Sequence, residues 1–538
     1  MSEETITITR AEYEELKKRN EELLSLKKQY EELSRQIEYL KEEFNLAQKH
    51  RFGTSSEKNK VNISEETVYQ LGFVFNESEA YADAVIRREA AGETTVKEHK
   101  RKKYVTNLDN LPENIEIEIV DKDLTEEERI CDQCGGEMTE IGVDIERKIK
   151  LVPAKCIIVE THIHSYKCAE CDKTNTKSRI VRAEAEKPVI PNGNATAEAI
   201  AYIAAEKYVM HSPLYRLEQQ LNASGIPLSR QTMSNWLLKS TELYFELIWK
   251  RMREILLKEE ILHADETTLE VLREPGRKAQ SKSYMWLYRT GKETKQQLIL
   301  YDYQETREAK HPKAFLEGFK GYLHTDGYSG YHNLSPDIRV VGCLAHARRN
   351  FTDAVDAIRN EEKRSASPAM IGIAFFDKLF EIERNIASLL PDERKQKRLE
   401  LSVPVLNELR NWVSKLNAPP KSLLGKAANY VISQWSWLTA WLEDGRLEIS
   451  NNLAERSIKP FVIGRKNFLF ANTPSGARSS AILFSMIQTS KENGLDPYRY
   501  LTWVLKKAPY LNMSDSTEVD TLLPANAPED CRSGYASA

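Results

Sequence analysis

The chain has 538 residues, 77 basic and 81 acidic side chains, a net charge of −4 and 41% hydrophobic content. That length exceeds one ordinary core and suggests roughly three to five units of about 100 to 200 residues, while the charge balance excludes polyanion binding through bulk charge alone. No stretch approaches the roughly 18 apolar residues that span a bilayer, MSEETITITR at the start lacks a signal-peptide core, and seven cysteines are too few for a disulfide scaffold. These features predict a protein of a reducing compartment, cytoplasmic and without a membrane partner.

Between Leu23 and Ala47 the apolar positions Leu23, Leu26, Tyr30, Leu33, Ile37, Leu40, Phe44 and Ala47 recur in steps of three and four. The pattern predicts a coiled coil joining two or more chains, in preference to an amphipathic helix docked on its own domain. Leu16 extends the seam and Arg19 interrupts it. The segment RFGTSSEK, with Gly53, ends the helix, and a charged linker to about residue 110 carries the basic run Lys97–Lys103.

Two Cys-x-x-Cys pairs, Cys131 with Cys134 and Cys168 with Cys171, are separated by a strand-rich segment. Each pair can place two thiolates on one tight turn, so the four predict a structural tetrahedral Zn²⁺ ribbon whose metal supplies folding free energy. Cys156 reads as core rather than ligand, and His162 and His164 as alternating strand residues.

After Pro191 the texture turns helical, with breaks at His211–Pro213 and Ala223–Pro227. Gly225 supplies a turn and Ser229 an N-cap for a helix whose exposed start carries Arg230, Gln231, Ser234 and Asn235, a plausible helix-turn-helix. From Glu260 five strand-like runs follow, ILHADETTLEVL, SYMWLYRT, QLILYDY, GYLHTDGY and IRVVGCLAH, with a helical TREAKHPKAFLEGF between the third and fourth. Three antiparallel strands, a helix and two further strands form the order of the ribonuclease H fold, in which the first and fourth strands are neighbours. That order brings Asp265 and Asp326 together. Glu455 lies in the polar helical NNLAERSIKP, and carboxylates delivered to one point from separate segments suit hard divalent cations.

Between about Thr352 and Glu448 amphipathic segments predict a helical insertion, with Trp435, Trp437 and Trp441 as its core aromatics or, alternatively, one of them stacking on an unpaired base. Cys343 and His346 form a Cys-x-x-His pair just beyond the fifth strand, which by itself offers only two ligands. Arg348, Arg349, Arg456, Lys459, Arg465 and Lys466 cluster near the acids and suit contact with a DNA backbone.

The motifs HADET, LHTDGYSGY, GCLAHARRNF and NNLAERSIKPFVIGRKNFLF resemble the signatures of bacterial DDE transposases of the insertion sequence sixty-six family. The heptad helix, RFGTSSEK, the four cysteines and LLPAN follow in the same order. Ser450, where relatives commonly have Asp, and Ala525, where Trp is usual, depart from the pattern. The resemblance implies Asp265, Asp326 and Glu455 as a catalytic triad holding two Mg²⁺ ions, with Mn²⁺ as a substitute. It also implies metal-dependent cleavage at element ends and strand transfer to target DNA, a homodimer or higher oligomer, element-encoded accessory proteins and a nucleoid-associated location. The alternatives are a non-catalytic zinc-containing DNA-binding regulator and a structural assembly protein.

The expected architecture is multidomain α+β: a coiled-coil helix (1–50), a charged linker (51–110), a zinc ribbon (111–183) and a helical DNA-binding domain (184–256). A ribonuclease H-like core follows in two parts (257–351 and 449–508), split by the helical insertion (352–448) and ending in a tail (509–538).

Overall fold

The computed structural model describes residues 9–52, 156–167 and 180–532. Cys131, Cys134, Cys168, Cys171 and the charged linker lie outside the described residues. The chain divides into one unit of Met1–Thr54 with Thr161–Ala538 and a second of Ser55–Glu160. No helix among the described residues is long and apolar enough to cross a membrane.

Helix α1, Arg10–Phe52, is 43 residues long, and Gly53, expected to end it, lies outside the described residues. Leu23, Leu26, Tyr30, Leu33, Ile37, Leu40 and Phe44 are all exposed along it. The end of the helix is docked on its own chain: Lys426 donates to Glu43 at 2.7 Å and to the Tyr39 hydroxyl at 3.1 Å, and Glu42 accepts the Leu423 amide at 3.2 Å. The end of the helix is thus held by its own domain, as the docked-helix alternative has it, while the apolar seam is exposed in the single chain.

A short antiparallel pair, β1 (Ser165–Lys167) and β2 (Ile180–Arg182), precedes the helices. Cys156, expected in a core, is exposed, as are Ile157, Ile158 and Val159 beside it in a run that is neither helix nor strand. His162 and His164 fall in coil ahead of β1 rather than on a strand.

Helices α2 (Ala197–Tyr208), α3 (Leu214–Ala223), α4 (Arg230–Ser240) and α5 (Glu246–Leu256) follow, a π-helical turn at Thr241–Phe245 linking the last two. Gly225, at φ +83°, makes the turn before α4, a conformation that costs a residue with Cβ. The Ser229 side chain accepts the Thr232 amide as N-cap, satisfying a donor that the helix itself cannot.

Five strands form the central sheet: β3 (Ile261–Glu270), β4 (Lys282–Thr290), β5 (Ile299–Gln304), β6 (Gly321–His324) and β7 (Ile338–Val341), in the spatial order β5-β4-β3-β6-β7. The β4 strand runs antiparallel to β3 and β5, whereas β6 is parallel to both β3 and β7. The crossover from β5 to β6 contains α6, Lys310–Phe315, as a parallel return requires. Trp286, Leu287 and Tyr288 of β4 are fully buried, so this strand is the spine of the core.

The outer edge of β5 is closed by side chains instead of a sixth strand. The amides of Tyr301 and Ile299 donate to Ser485 Oγ (2.8 Å) and Thr489 Oγ1 (3.0 Å), two hydroxyls one turn apart on helix Pro474–Glu492. Backbone groups that would invite pairing with another chain are thus satisfied.

After β7 the chain leaves the sheet through α7 (Leu344–Asp356), α8 (Pro368–Asn385), α9 (Pro391–Lys415) and α10 (Leu423–Ser433). These helices share a core of their own that includes Phe351, Phe376, Leu406, Val431 and Trp441. Trp441 is fully buried, Trp437 stacks on His332 with ring centroids 3.8 Å apart, and the Arg410 guanidinium lies 5.4 Å from the Trp435 ring. The chain then returns through α11 (Asn452–Phe468), α12 (Pro474–Glu492) and α13 (Pro497–Lys507). The segment expected as a tail packs back on the domain: Leu522 and Cys531 are buried, and Asp520 pairs with Arg251 of α5 at 2.6 Å.

Candidate active site

In β3 and β6 the same four-residue pattern recurs, Leu262-His263-Ala264-Asp265 and Leu323-His324-Thr325-Asp326. The strands are parallel and in register, with His263 opposite His324. Residues two apart share a face of a sheet, so Asp265 shares a face of β3 with His263, while Asp326 follows His324 two residues past the end of β6. The two imidazoles are fully buried and stacked, with centroids 4.2 Å apart and planes within 8°. Burial holds His263 down to about 3 and His324 well below the ordinary histidine range, so both rings are neutral.

Asp265 is itself partly buried. Desolvation first, then the charges of Glu266, Asp326 and Glu455, push its carboxyl well above the usual range. Glu266 is raised by burial and by Asp326, against the opposing contacts of Tyr331 and Arg307. Arg307 donates to Glu266 at 2.5 and 2.8 Å and approaches Asp326 at 3.9 Å, while the Tyr331 hydroxyl donates to Glu266 at 2.6 Å. The backbone fixes one oxygen of each aspartate: Asp265 Oδ1 accepts the Glu266 amide at 2.8 Å, and Asp326 Oδ1 the Tyr328 amide at 2.9 Å.

Glu455 arrives on the first turn of α11, which is pinned to the sheet at three points. At the start, Asn451 donates its side-chain amide to Ala264 O at 2.8 Å, meets His263 Nδ1 at 3.0 Å through Oδ1, and sends its backbone amide to Cys343 Sγ at 3.2 Å. In the middle, Arg289 of β4 donates to Ser457 Oγ at 2.5 Å. Toward the end, Arg465 donates to Thr267 and Thr268 of β3, 2.9 Å from each hydroxyl. Two strands, β3 and β4, together with Cys343 at the start of α7, therefore set where Glu455 stands.

Arg307 is committed to Glu266, and Asp326 and Glu455 meet basic side chains only at 3.5 to 3.9 Å among the described residues, so Asp265, Asp326 and Glu455 fit cations of the hard, oxygen-seeking kind. Two observations support that fit: the raised Asp265 carboxyl, and Glu455 Oε1, which is buried without a hydrogen-bond partner. Asp265, Asp326 and Glu455 would supply the ligands.

Glu455 also faces the Cys-x-x-His pair. His346 Nδ1 lies 3.5 Å from Glu455 Oε1 and is likewise buried without a hydrogen bond. Cys343 Sγ, a ring nitrogen of His346 and a carboxylate oxygen of Glu455 all lie within 4.8 Å of one another. Arg349 approaches Glu455 at 3.9 Å from a half-exposed position.

The cations expected to face DNA divide into two sets. Arg456 and Lys459 are exposed on α11 beside Glu455, and Lys466 is exposed near its end. Arg348 is instead committed to Asp377 at 2.8 Å, and Arg465 to β3, which makes it a strand-to-helix clamp. On α4, Gln231 donates to Asn235 at 2.9 Å and Arg230 lies 3.9 Å from Glu218, all three at the exposed helix start.

Glu266, Arg307, Tyr331, the histidine pair and Asn451 complete the site without having been marked in the sequence. The repeated Leu-His-x-Asp was the one local signal for the histidines. The others meet across sequence separations that no local pattern spans.

Comparison with known proteins places this geometry in a family. Residues 192–479 match the description "Transposase IS66 family", residues 128–172 "zinc-finger binding domain of transposase IS66", residues 485–525 "IS66 C-terminal element" and residues 39–119 "Transposase C of IS166 homeodomain". Among similar chains from Sinorhizobium fredii, Uncharacterized protein y4jD is 31% identical, covering 74% of this chain and 78% of its own length. Uncharacterized protein y4qI is 30% identical over 90% of this chain and 88% of its own. With the family match spanning the sheet, the helical insertion and all three acids, the chain belongs to the IS66 family of transposases.

Proposed function

We propose that this chain cleaves DNA at the ends of an insertion element and joins those ends to target DNA, with Asp265, Asp326 and Glu455 as the catalytic carboxylates of a ribonuclease H-like domain. The observation that carries the reading is the parallel, in-register pairing of β3 with β6, which sets Asp265 beside the strand end that leads to Asp326, together with the Asn451 bonds to Ala264 and His263 that seat the first turn of α11, and Glu455 on it, against β3. The strand order β5-β4-β3-β6-β7, antiparallel then parallel, supports it.

Two Mg²⁺ ions, or Mn²⁺ in their place, would when bound neutralise charge on the scissile phosphate and ease deprotonation of the attacking hydroxyl. The chain's own contribution is position. Asn451, Arg289 and Arg465 fix α11, Arg307 and Tyr331 hold Glu266 aside, and the neutral histidine pair packs beneath the aspartates without adding charge. In the first reaction water attacks phosphorus and the leaving oxygen frees the element's 3′ end. In the second that 3′-hydroxyl attacks a target phosphodiester, one P–O bond forming as another breaks.

Arg349, Arg456, Lys459 and Lys466 suit the scissile backbone, and Arg230, Gln231 and Asn235 a recognition helix. Cys131, Cys134, Cys168 and Cys171 would hold structural Zn²⁺. The exposed seam of α1 suits pairing with the same helix of a second copy, as synapsis of two ends demands, and accessory proteins of the element would join at the DNA in the nucleoid.

The test is strand cleavage of labelled element-end DNA in Mg²⁺. The wild-type chain cuts at a defined end, and Asp326→Asn binds the DNA without cutting it. Undiminished cleavage by Asp326→Asn refutes the assignment, and DNA binding without cleavage by the wild type favours a non-catalytic regulator.

A further inference from the structure

Cys343 and His346 supply two metal ligands by sequence; the fold supplies a third. His346 stands one turn into α7 from Cys343, on the same face of that helix. The return of α11 brings Glu455 against both, so one thiol, one imidazole and one carboxylate converge from two helix starts.

Two features show that this is more than an ion pair. An imidazole that donated to a carboxylate would stand at about 2.7 to 3.2 Å; here His346 Nδ1 and Glu455 Oε1 are 3.5 Å apart, both buried and neither hydrogen-bonded. That separation matches the roughly 3.3 to 3.5 Å edge between N and O ligands of a tetrahedral zinc ion at ordinary bond lengths. Sγ of Cys343 sits at the start of α7 and accepts the Asn451 amide at 3.2 Å, and the Ala345 and His346 backbone amides also act to lower its pKa. Such donors favour thiolate character. Without an ion, burial outweighs them and pushes the thiol up to about 11.

We propose that Cys343, His346 and Glu455 form a second metal site, for a zinc-type borderline-soft divalent ion, which shares Glu455 with the acidic site. Thiol and imidazole select zinc over magnesium. Binding releases one proton from Cys343 as the thiolate coordinates. A fourth position stays open for water or a phosphate oxygen, since the cluster offers three ligands among the described residues. Zinc there draws Glu455 away from Asp265 and Asp326, so the two occupations exclude one another. This inhibitory consequence rests on the catalytic reading of Glu455; the binding does not.

The experiment is zinc titration of the full-length protein, without DNA, after a mild chelator has stripped exchangeable metal. The wild type binds one weaker equivalent beyond the tight equivalent of the cysteine ribbon. Cys343→Ser, His346→Asn and Glu455→Gln each weaken that equivalent at least tenfold, while Asp265→Asn retains it. Absence of the weaker equivalent in the wild type, or its persistence unchanged in Glu455→Gln, overturns the proposal. Glu455→Gln decides the matter should Cys343→Ser fail to fold, because Glu455 is only half-buried. No outcome depends on strand cleavage, so the proposed reaction stands or falls separately.

Discussion

Replacing Arg398 with methionine removes a charge that the helical insertion is built around. The guanidinium is 2% exposed and makes a bidentate pair with Glu383 at 2.7 and 2.9 Å. It also donates to the carbonyls of Trp441, Asp444 and Leu447 at 3.1, 3.0 and 2.8 Å, and lies 4.9 Å from the Trp441 ring. Methionine keeps the length of the side chain and loses all five hydrogen bonds. The dominant cost is Glu383, 13% exposed, left with a buried unpaired charge. Breaking such a pair from one side costs about 3 to 5 kcal/mol. The three carbonyls add less than their gross energies, since part of each loss is recovered by relaxation and water. We expect Arg398→Met to lower stability in urea-induced unfolding followed by tryptophan fluorescence by about 3 to 5 kcal/mol. Adding Glu383→Gln should recover part of that loss, because the stranded charge is then removed. The carbonyls belong to the loop that leads into α11, so cleavage should fall with stability. A loss below about 1 kcal/mol, the level of an ordinary solvated pair, would refute the reasoning.

Asp265→Asn removes a carboxyl that the folded state protonates more readily than the unfolded state does. Because that folded value is raised, the stability of the metal-free protein falls as pH climbs from the ordinary carboxylate range through the raised one. In chelator at pH 8 the variant should therefore melt above the wild type, with a flatter pH profile between pH 4 and 8; a lower melting temperature would contradict this. Asn451→Leu, which leaves Ala264 O and His263 without their partner, should lower stability by about 1 to 3 kcal/mol and reduce cleavage more than DNA binding, read by parallel binding and cleavage assays. Ile37→Asp places a charge on the exposed seam of α1 and should shift the protein toward monomer in analytical ultracentrifugation, leaving the circular dichroism of the folded domain unchanged.

The strands were legible from their runs of apolar and aromatic residues, and two of the acids because they close such runs in the sequence, although β3 continues past Asp265 to Glu270. Asp265 and Asp326 are marked by where those runs stop, and α11 by the polar helical stretch around Glu455. The partners of these acids were not legible, since Arg307 reaches Glu266 and Asn451 reaches His263 only once separate segments have been folded together. Cations near the acids in sequence look alike, yet Arg465 turns inward to β3 while Arg456 and Lys459 stay exposed. Helix α1 shows the same limit: its heptad spacing identifies the exposed seam, and nothing in that spacing shows that Tyr39, Glu42 and Glu43 dock on α10.

Crystals of the protein soaked in Mn²⁺ and measured for anomalous scattering test the central claim most directly. The account predicts peaks bounded by Asp265, Asp326 and Glu455 in the wild type, lost or displaced in Asp326→Asn. Anomalous density absent from that cluster, or unchanged in the variant, would contradict it.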